Sequence, residues 1–229
     1  MASTCKASIS SSYTTQVHTA FQKFCEDRPI AERATVDDIL YAGNLGANGD
    51  YGCNLMLVDD SIANQYQYII NMTNSASKSQ ACVCWLKIGP NGGVGGFFLG
   101  NEVLDFTLPP GGHSVLAADQ NTIGGCTCSL GAAVQLTGIK QFASTWLEFE
   151  MATKHDGWSG ADASCLVAAK SGLDIPGLQV CSQYNVCSTV YAGVTGDNAY
   201  LQGMEDVDGI GIVQQPGEVR LRAIFGYQT

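Results

Sequence analysis

Ten cysteines spread along the chain constrain its fold more than any other feature of the sequence. A structural zinc site usually shows paired CxxC ligands that close short loops, whereas the two close pairs here have the spacing CxC. An even and scattered set predicts five disulfides and no bound metal or other cofactor. The predicted disulfide cysteines are Cys5, Cys25, Cys53, Cys82, Cys84, Cys126, Cys128, Cys165, Cys181 and Cys187.

We expect each member of a CxC pair to bond to a different partner. The connectivity stays open, because ten cysteines allow on the order of 1,000 complete pairings. Disulfides persist in oxidising compartments, so the cysteines predict a secreted, extracellular protein. Residues 1–5 have neither the basic nor the apolar region of a signal peptide. We therefore expect that a leader, alone or together with a pro-segment, has been removed.

A glycosylation sequon, Asn71-Met72-Thr73, is consistent with a secretory route. Asn71 is therefore the candidate site for a glycan, and the predicted protein is a glycoprotein.

The composition indicates one folded domain and excludes two classes of partner. The chain has 229 residues, of which 45% are hydrophobic and 14% charged, which is too apolar for disorder. Eleven Lys and Arg against 21 Asp and Glu give a formal net charge of -10, which would repel a phosphate backbone. No run approaches the roughly 18 apolar residues of a membrane-spanning helix. We expect neither a nucleic-acid partner nor a membrane span.

The N-terminal part has a helical pattern of apolar residues. They recur at spacings of three or four, which predicts an amphipathic helix, at Ile9, Tyr13, Val17, Phe21 and Phe24. A second short helical stretch is predicted within Ala31–Leu40. The predicted organisation is a helical N-terminal segment at 1–44, packed on the same domain, followed by a β-sandwich domain at 45–229.

The rest of the chain reads as short strands separated by glycine-rich turns. Most of the 27 glycines follow Gly52, between β-branched and aromatic runs, and no βαβ alternation is visible. This pattern predicts a mainly β protein, a disulfide-rich antiparallel β-sandwich. The predicted strands are 66–72, 82–88, 96–99, 103–108, 114–118, 133–136, 146–151, 178–181, 188–192 and 218–225.

Carboxylates near position 150 are the strongest candidates for chemistry. Glu148 and Glu150 share one face of a predicted strand, and Asp156 and Asp162 are placed in the loop that follows. Hydrolysis of a glycosidic bond needs two carboxyl groups roughly 5 to 9.5 Å apart. Three interpretations stay open: solvated acidic residues, an acidic ligand-binding cleft, or a hydrolase in which Glu148, Asp156 and Asp162 are catalytic.

Trp158 is the candidate aromatic binding residue, because it lies in the glycine-rich loop 155–160. Flat rings stack on the apolar faces of sugars, while nearby carboxylates bond the hydroxyls. Trp85 and Trp146, which lie in predicted strands, are assigned to the core. The predicted ligand-binding set is Trp158, Glu148, Asp156 and Asp162.

Other chemistries find less support in the sequence. No Gly-x-Ser-x-Gly elbow is present. We expect His18, predicted to be helical, and His113 and His155, predicted in loops, to be exposed or locally hydrogen-bonded. The acidic run 205–209 lacks the EF-hand spacing and is interpreted as an ordinary turn rather than a calcium site.

Three short sequence motifs resemble those of the fungal secreted allergens of the Asp f four type. They are WLKIGPNGG at 85–93, HDGWSG at 155–160 and VDGIG at 207–211. These motifs occur in the same order as in that family, and the resemblance covers roughly Cys82 to Tyr227. It implies a secreted fungal protein that acts at the cell wall or host interface, without implying a defined biochemical activity.

A fainter resemblance points to thaumatin-like proteins. The segments FTLPPG at 106–111, STWLEF at 144–149 and DAS at 162–164 look like strands of that family. The resemblance implies a cystine-rich β-sandwich. Some thaumatin-like proteins bind β-1,3-glucan through an acidic cleft, and Glu148 and Asp162 match its Glu and Asp positions.

Together these features predict a non-catalytic extracellular protein, an allergen-like effector that binds cell-wall polysaccharide such as β-glucan. A weak glycoside hydrolase on β-1,3-glucan is the first alternative, although we expect no enzyme. An effector that recognises a host extracellular protein is the second.

Overall fold

The computed structural model describes residues 15–25, 51–153 and 156–228, and most of the regular secondary structure among them is strand. The strands are β1 (Val17–His18), β2 (Leu55–Val58), β3 (Tyr68–Asn74), β4 (Gln80–Leu86), β5 (Leu104–Leu108), β6 (His113–Ala118), β7 (Thr122–Leu130), β8 (Trp146–Met151), β9 (Ser159–Ser164), β10 (Leu178–Cys181), β11 (Cys187–Val190), β12 (Gly196–Asp197), β13 (Ile212–Gln214) and β14 (Val219–Phe225). Among the described residues, a 3-10 turn at Ala63–Gln65 and a short helix, α1 (Leu166–Ser171), lie between strands.

The strands form two sheets with a shared core, which confirms the mainly β prediction. Sheet A has the order β1-β2-β6-β3-β14-β10-β11-β12, and sheet B has the order β13-β9-β8-β7-β4-β5. Side chains from both sheets, including Ile70 and Leu221 of sheet A and Leu108 and Leu147 of sheet B, are buried together in the main core. Sheet A is mixed rather than antiparallel, because β1 pairs in parallel with β2 and β3 with β14.

The two CxC pairs bond to each other across adjacent strands. Cys82 faces Cys128 and Cys84 faces Cys126 in the β4–β7 register, and disulfides join both pairs. Residues two apart on a strand share a face, so all four sulfurs point into the main core. The prediction that the members of a CxC pair have different partners is confirmed.

Two more disulfides join described residues, and one cysteine departs from the prediction. Cys25–Cys53 ties the N-terminal residues to the sandwich, and Cys181–Cys187 closes the β10–β11 hairpin. Cys165 is instead a buried free thiol, so the prediction that it forms a disulfide is wrong for this structure. Its environment raises the thiol pKa, chiefly by burial, which disfavours the nucleophilic thiolate. Cys5 lies outside the described residues.

The N-terminal helix prediction is wrong where the structure describes the segment. Residues 15–25, here called the N-terminal segment, contain a strand, and Val17–His18 pairs with Leu57–Val58. The Thr15 N–H also donates to the Asp105 carbonyl of β5, at 2.9 Å, so the segment contacts both sheets. The remaining predicted helical residues, in 1–14 and 26–50, lie outside the described part of the chain.

A smaller core covers part of the outer face of sheet B. Val83, Trp85, Phe142 and Trp146 are buried there, and the Trp85 and Trp146 rings meet edge to face with centroids 4.9 Å apart. The assignment of both tryptophans to the core is confirmed. Among the described residues, no helix has the length and apolar character needed to cross a membrane.

Candidate functional site

Four residues from adjacent strands form a row across the outer face of sheet B. The strand registers place Trp85 beside Gly125, Gly125 beside Glu148, and Glu148 beside Asp162. The alternate residues of β8 and β9 point into the main core, so the two carboxyl groups lie on the opposite face.

The glycine in this row makes room for the indole ring. A Cβ atom at Gly125 would lie only 2.9 Å from Cζ2 of Trp85, so the ring lies over the glycine backbone. Trp85 is 3% exposed, and its ring lies above β7 at Gly125, between the side chains of β4 and those of β8. The apolar Trp85 ring therefore lies next to Glu148. The smaller core gives Glu148 and Asp162 an environment of low dielectric constant.

Glu148 and Asp162 form a half-buried, hydrogen-bonded carboxyl pair. Burial, followed by the charge of Glu148, raises the pKa of Asp162 to about 9, and its protonated carboxyl donates to Glu148. Burial also raises the pKa of Glu148, against the hydrogen bond from Asp162 and the charge of Lys87. Two carboxylates cannot hydrogen-bond to each other without a proton. At neutral pH the pair therefore holds a shared proton.

A second acidic row runs alongside the first. Glu150 lies two residues beyond Glu148 on the same face, and the registers place it beside Ile123 and Gly160. Burial raises the pKa of Glu150, the charge of Lys87 opposes the shift, and the charge of Asp156 adds to it. The face thus combines three carboxyl groups with a nearby ammonium group.

The loop between β8 and β9 holds the exposed tryptophan. The Asp156 Oδ1 atom accepts hydrogen bonds from the Thr153 hydroxyl at 2.5 Å and from the Trp158 N–H at 3.0 Å. Trp158 is 38% exposed, and strand alternation from Gly160 places it on the outer face. Trp158 directly precedes β9 and is four residues from Asp162, a step of about 13 Å at the rise of an extended chain.

Gly211 covers the far side of the acidic pair. A Cβ atom there would lie 2.8 Å from the Asp162 Cβ, and φ is +118°, which favours glycine. The Asn198 side chain fixes the Gly211 peptide, because its Nδ2 donates to the Gly211 carbonyl at 2.8 Å and its Oδ1 accepts from the Gly211 N–H at 3.1 Å. Gly211, the last residue of the VDGIG motif, therefore allows the backbone to pass close to the Asp162 side chain.

The structure brings the predicted site residues onto one face in two groups. Glu148 and Asp162 are in contact, whereas Asp156 and Trp158 lie at the loop end of the face. Asp162 lies within β9 and not in the loop predicted for it. The sequence analysis did not identify Gly125 and Gly211 as site residues. Because glycine has no side chain, Gly125 leaves space for the Trp85 ring and Gly211 for the Asp162 side chain. It also missed Lys87, which alternation from Trp85 would place on the face.

The other candidate residues lie apart from this face. Asn71 is partly buried in β3, between β6 and β14, and its glycosylation stays a prediction. His113 begins β6 and its Nε2 lies 2.7 Å from Asp60 Oδ2, while His18 lies in β1 rather than a helix. His155 lies outside the described residues. Within the described ranges, no group of three or more His, Cys, Asp or Glu could hold a metal ion.

Comparisons with known proteins show a family relationship and a distant structural likeness. The Allergen Asp f 4-like domain matches residues 53–225. Allergen Asp f 4 from Aspergillus fumigatus (strain ATCC MYA-4609 / CBS 101355 / FGSC A1100 / Af293) is 31% identical over 193 residues, which are 83% of this chain and 59% of that protein. The chain thus spans less than two thirds of its curated relative.

A solved structure, the thaumatin-like xylanase inhibitor TLXI, aligns with 68% of this chain and 97% of its own, at 12% identity and a TM-score of 0.41. The thaumatin-like part of the fold prediction stays a prediction at this score. The match to residues 53–225 covers every described strand except β1 and every residue of the two acidic rows. The chain therefore belongs to the Allergen Asp f 4-like family.

Proposed function

We propose that this protein is an extracellular, allergen-type protein that binds a neutral cell-wall polysaccharide, with β-1,3-glucan as the first candidate. The observation that carries the proposal is the outer face of sheet B, where half-buried carboxyl groups lie beside the loop that holds an exposed tryptophan. An indole ring stacks on a sugar face, and carboxyl oxygens accept hydrogen bonds from hydroxyls.

The separation of these groups supports an extended ligand. The step of about 13 Å from Asp162 to Trp158 follows the strand, so a polymer lying along β9 would contact both groups. The shared proton reduces the charge of the acidic pair, which favours neutral sugars over anionic ones. This chemistry fits a wall glucan better than a uronic acid polymer.

Binding without hydrolysis is the better-supported version. The carboxyl groups of a retaining glycosidase lie about 5 to 5.5 Å apart and those of an inverting enzyme lie farther apart. Glu148 and Asp162 are hydrogen-bonded to each other instead, which is closer than the separation that either mechanism uses. The Asp156 carboxylate is bonded within its own loop.

A pull-down against insoluble β-1,3-glucan, chitin, cellulose and xylan tests the proposal, with released sugar measured in the soluble fraction. We expect saturable depletion on the glucan and no sugar release. Trp158→Ala should weaken binding by about 1 to 2 kcal/mol, roughly 5- to 30-fold, because an aromatic stacking partner is lost. Glu148→Gln should also weaken it.

Tyr184→Ala is the matched control, because Tyr184 is an exposed aromatic residue, 73% accessible, in the β10–β11 hairpin of the other sheet. It should bind the glucan like the native protein. No depletion on any of the four polymers, or equal loss in the Tyr184 and Trp158 variants, would contradict the proposal. Sugar release that depends on Glu148 would favour the hydrolase instead.

A further inference from the structure

A disulfide lies on the outer face of sheet A, on the opposite side of the sandwich from the carboxyl pair. Cys181 ends β10 and Cys187 begins β11, and the two residues face each other in the antiparallel register. Leu178 and Val180 of β10 point into the main core. Because side chains alternate along the strand, the disulfide lies on the other face.

This disulfide differs from the two core disulfides in its access to solvent. The four core cysteines are at most 1% exposed, whereas Cys181 is 6% exposed and Cys187 is partly exposed. The hairpin loop beside it is open, with Tyr184 73% and Val186 50% exposed. An external thiolate can therefore approach Cys187 without unfolding the sandwich.

A guanidinium group lies beside the same hairpin. Arg222 of β14 is the direct cross-strand neighbour of Cys181, on the same face, and its Nη2 donates to Asn185 Oδ1 in the hairpin loop at 2.9 Å. Glu218, whose carbonyl accepts from the Gln183 side chain of the hairpin, is paired with Arg220, and Asp197 of β12 lies beside Thr189 of β11. Positive charge next to a sulfur stabilises the thiolate and makes it a better leaving group.

We propose that Cys181–Cys187 is a site of thiol–disulfide exchange with an external dithiol. A thiolate of the dithiol attacks Cys187 Sγ, the protein S–S bond breaks, and Cys181 leaves as a thiolate beside Arg222. The second thiol then attacks the mixed disulfide and releases Cys187. The dithiol is oxidised to its disulfide, and its two electrons and two protons end on the two cysteines.

The test treats the full chain with a dilution series of dithiothreitol at neutral pH, under conditions in which circular dichroism shows a folded protein. Samples are alkylated with iodoacetamide at intervals, and each cysteine is quantified by peptide mass spectrometry. Cys181 and Cys187 should be labelled together and at least about tenfold faster than the core cysteines, because exchange depends on access. Labelling of Cys181 and Cys187 that is no faster than that of the core cysteines would overturn the proposal.

The role of the guanidinium group has its own test. Arg222→Gln should slow labelling of Cys181 and Cys187 about 3- to 10-fold, because the leaving thiolate loses its neighbouring charge. Arg222→Lys keeps a positive charge and should retain most of the rate. Equal rates in the Gln variant and the native protein would remove Arg222 from the proposal, and a slow rate in both variants would show that packing rather than charge matters.

Discussion

Asp162 and Glu148 share a proton in the folded protein because their strand register holds two carboxyl groups in contact beside the apolar Trp85 ring. In the unfolded chain Asp162 has its ordinary pKa of 3.8, and in the folded protein the pKa is about 9. Between these values the folded state keeps a proton that the unfolded state has released. The free energy of unfolding therefore falls as pH rises from about 4 to about 9, and this contribution is constant above about 9.

We expect Asp162→Asn to stabilise the protein at pH 8, because it removes this titration and keeps an N–H donor facing Glu148. A single pKa unit corresponds to about 1.4 kcal/mol, so the gain in the free energy of unfolding should be at least about 1.4 kcal/mol. Urea unfolding at pH 4, 6 and 8 measures it. The gain should shrink toward pH 4, where the native residue is protonated in both states.

Asp174→Asn is the matched control, because Asp174 is exposed and outside both acidic rows. It should leave the pH dependence of the free energy of unfolding unchanged. If the Asp162 variant keeps the native pH dependence, the shared proton is not the source of it.

At this scale the sequence predicts the identities of the acidic residues better than their surroundings. Alternation in β8 predicts that Glu148 and Glu150 share a face, and the structure agrees. The surroundings of Glu148 and Asp162 include the Trp85 ring, which lies over Gly125 of β7, and β7 is a strand that the sequence does not predict. No local pattern near Glu148 contains that information.

Among the elements, the N-terminal segment packs on one aromatic side chain of the sandwich, in addition to its disulfide and its pairing with β2. The Tyr66 hydroxyl donates to the Gln22 carbonyl at 3.0 Å and accepts from the Gln22 N–H at 2.9 Å. The Phe21 and Phe24 rings pack on the Tyr66 ring, with centroids at 5.0 and 5.6 Å. These contacts hold the segment beside the edge of sheet A.

Tyr66→Phe should loosen the segment without disturbing the sandwich, since it keeps the ring and removes both hydrogen bonds. The expected cost is about 1 kcal/mol in the free energy of local opening. Hydrogen exchange should become faster at Asp59, whose N–H donates to the His18 carbonyl at 2.8 Å, and stay unchanged in β8. Tyr184→Phe, at an exposed position, should change neither. Unchanged exchange at Asp59 in the Tyr66 variant would contradict this account.

The accuracy of the strand predictions follows the composition of each strand. Strands with bulky or β-branched residues, such as Trp146–Met151 and Leu178–Cys181, have the predicted bounds. Thr122–Leu130 and Ser159–Ser164 were not predicted, because glycine and small polar residues replace the apolar alternation. Apolar spacing within 15–25 predicts a helix, but sheet pairing and packing on Tyr66 decide its extended conformation.

The arrangement of the whole molecule rests on pairings that join distant parts of the chain. β3 pairs in parallel with β14 over seven residues, from Tyr68 with Val219 to Asn74 with Phe225. No turn fixes such a register, because the two strands are separated by most of the domain. Sequence patterns therefore predict the class of the fold, whereas the mixed order of sheet A comes from packing of the complete chain.

The two core disulfides make a coupled contribution to the stability of the whole molecule, because one closes its loop inside the other. With Cys84–Cys126 intact, Cys82–Cys128 closes only a few additional residues, so removing it should cost about 2 kcal/mol of chain entropy. The same holds for the converse removal. With neither bridge present, a loop of more than 40 residues opens, and the second removal should cost about 4 kcal/mol.

Paired Cys→Ala variants test this in a double-mutant cycle, with guanidinium unfolding as the measurement. We expect each single bridge removal to lower the free energy of unfolding by about 2 kcal/mol and the removal of both to lower it by about 6 kcal/mol. The excess of about 2 kcal/mol over the sum of the single effects is the coupling. Additive costs would mean that the bridges act through local packing in the core, and that either one alone does not constrain the unfolded loop.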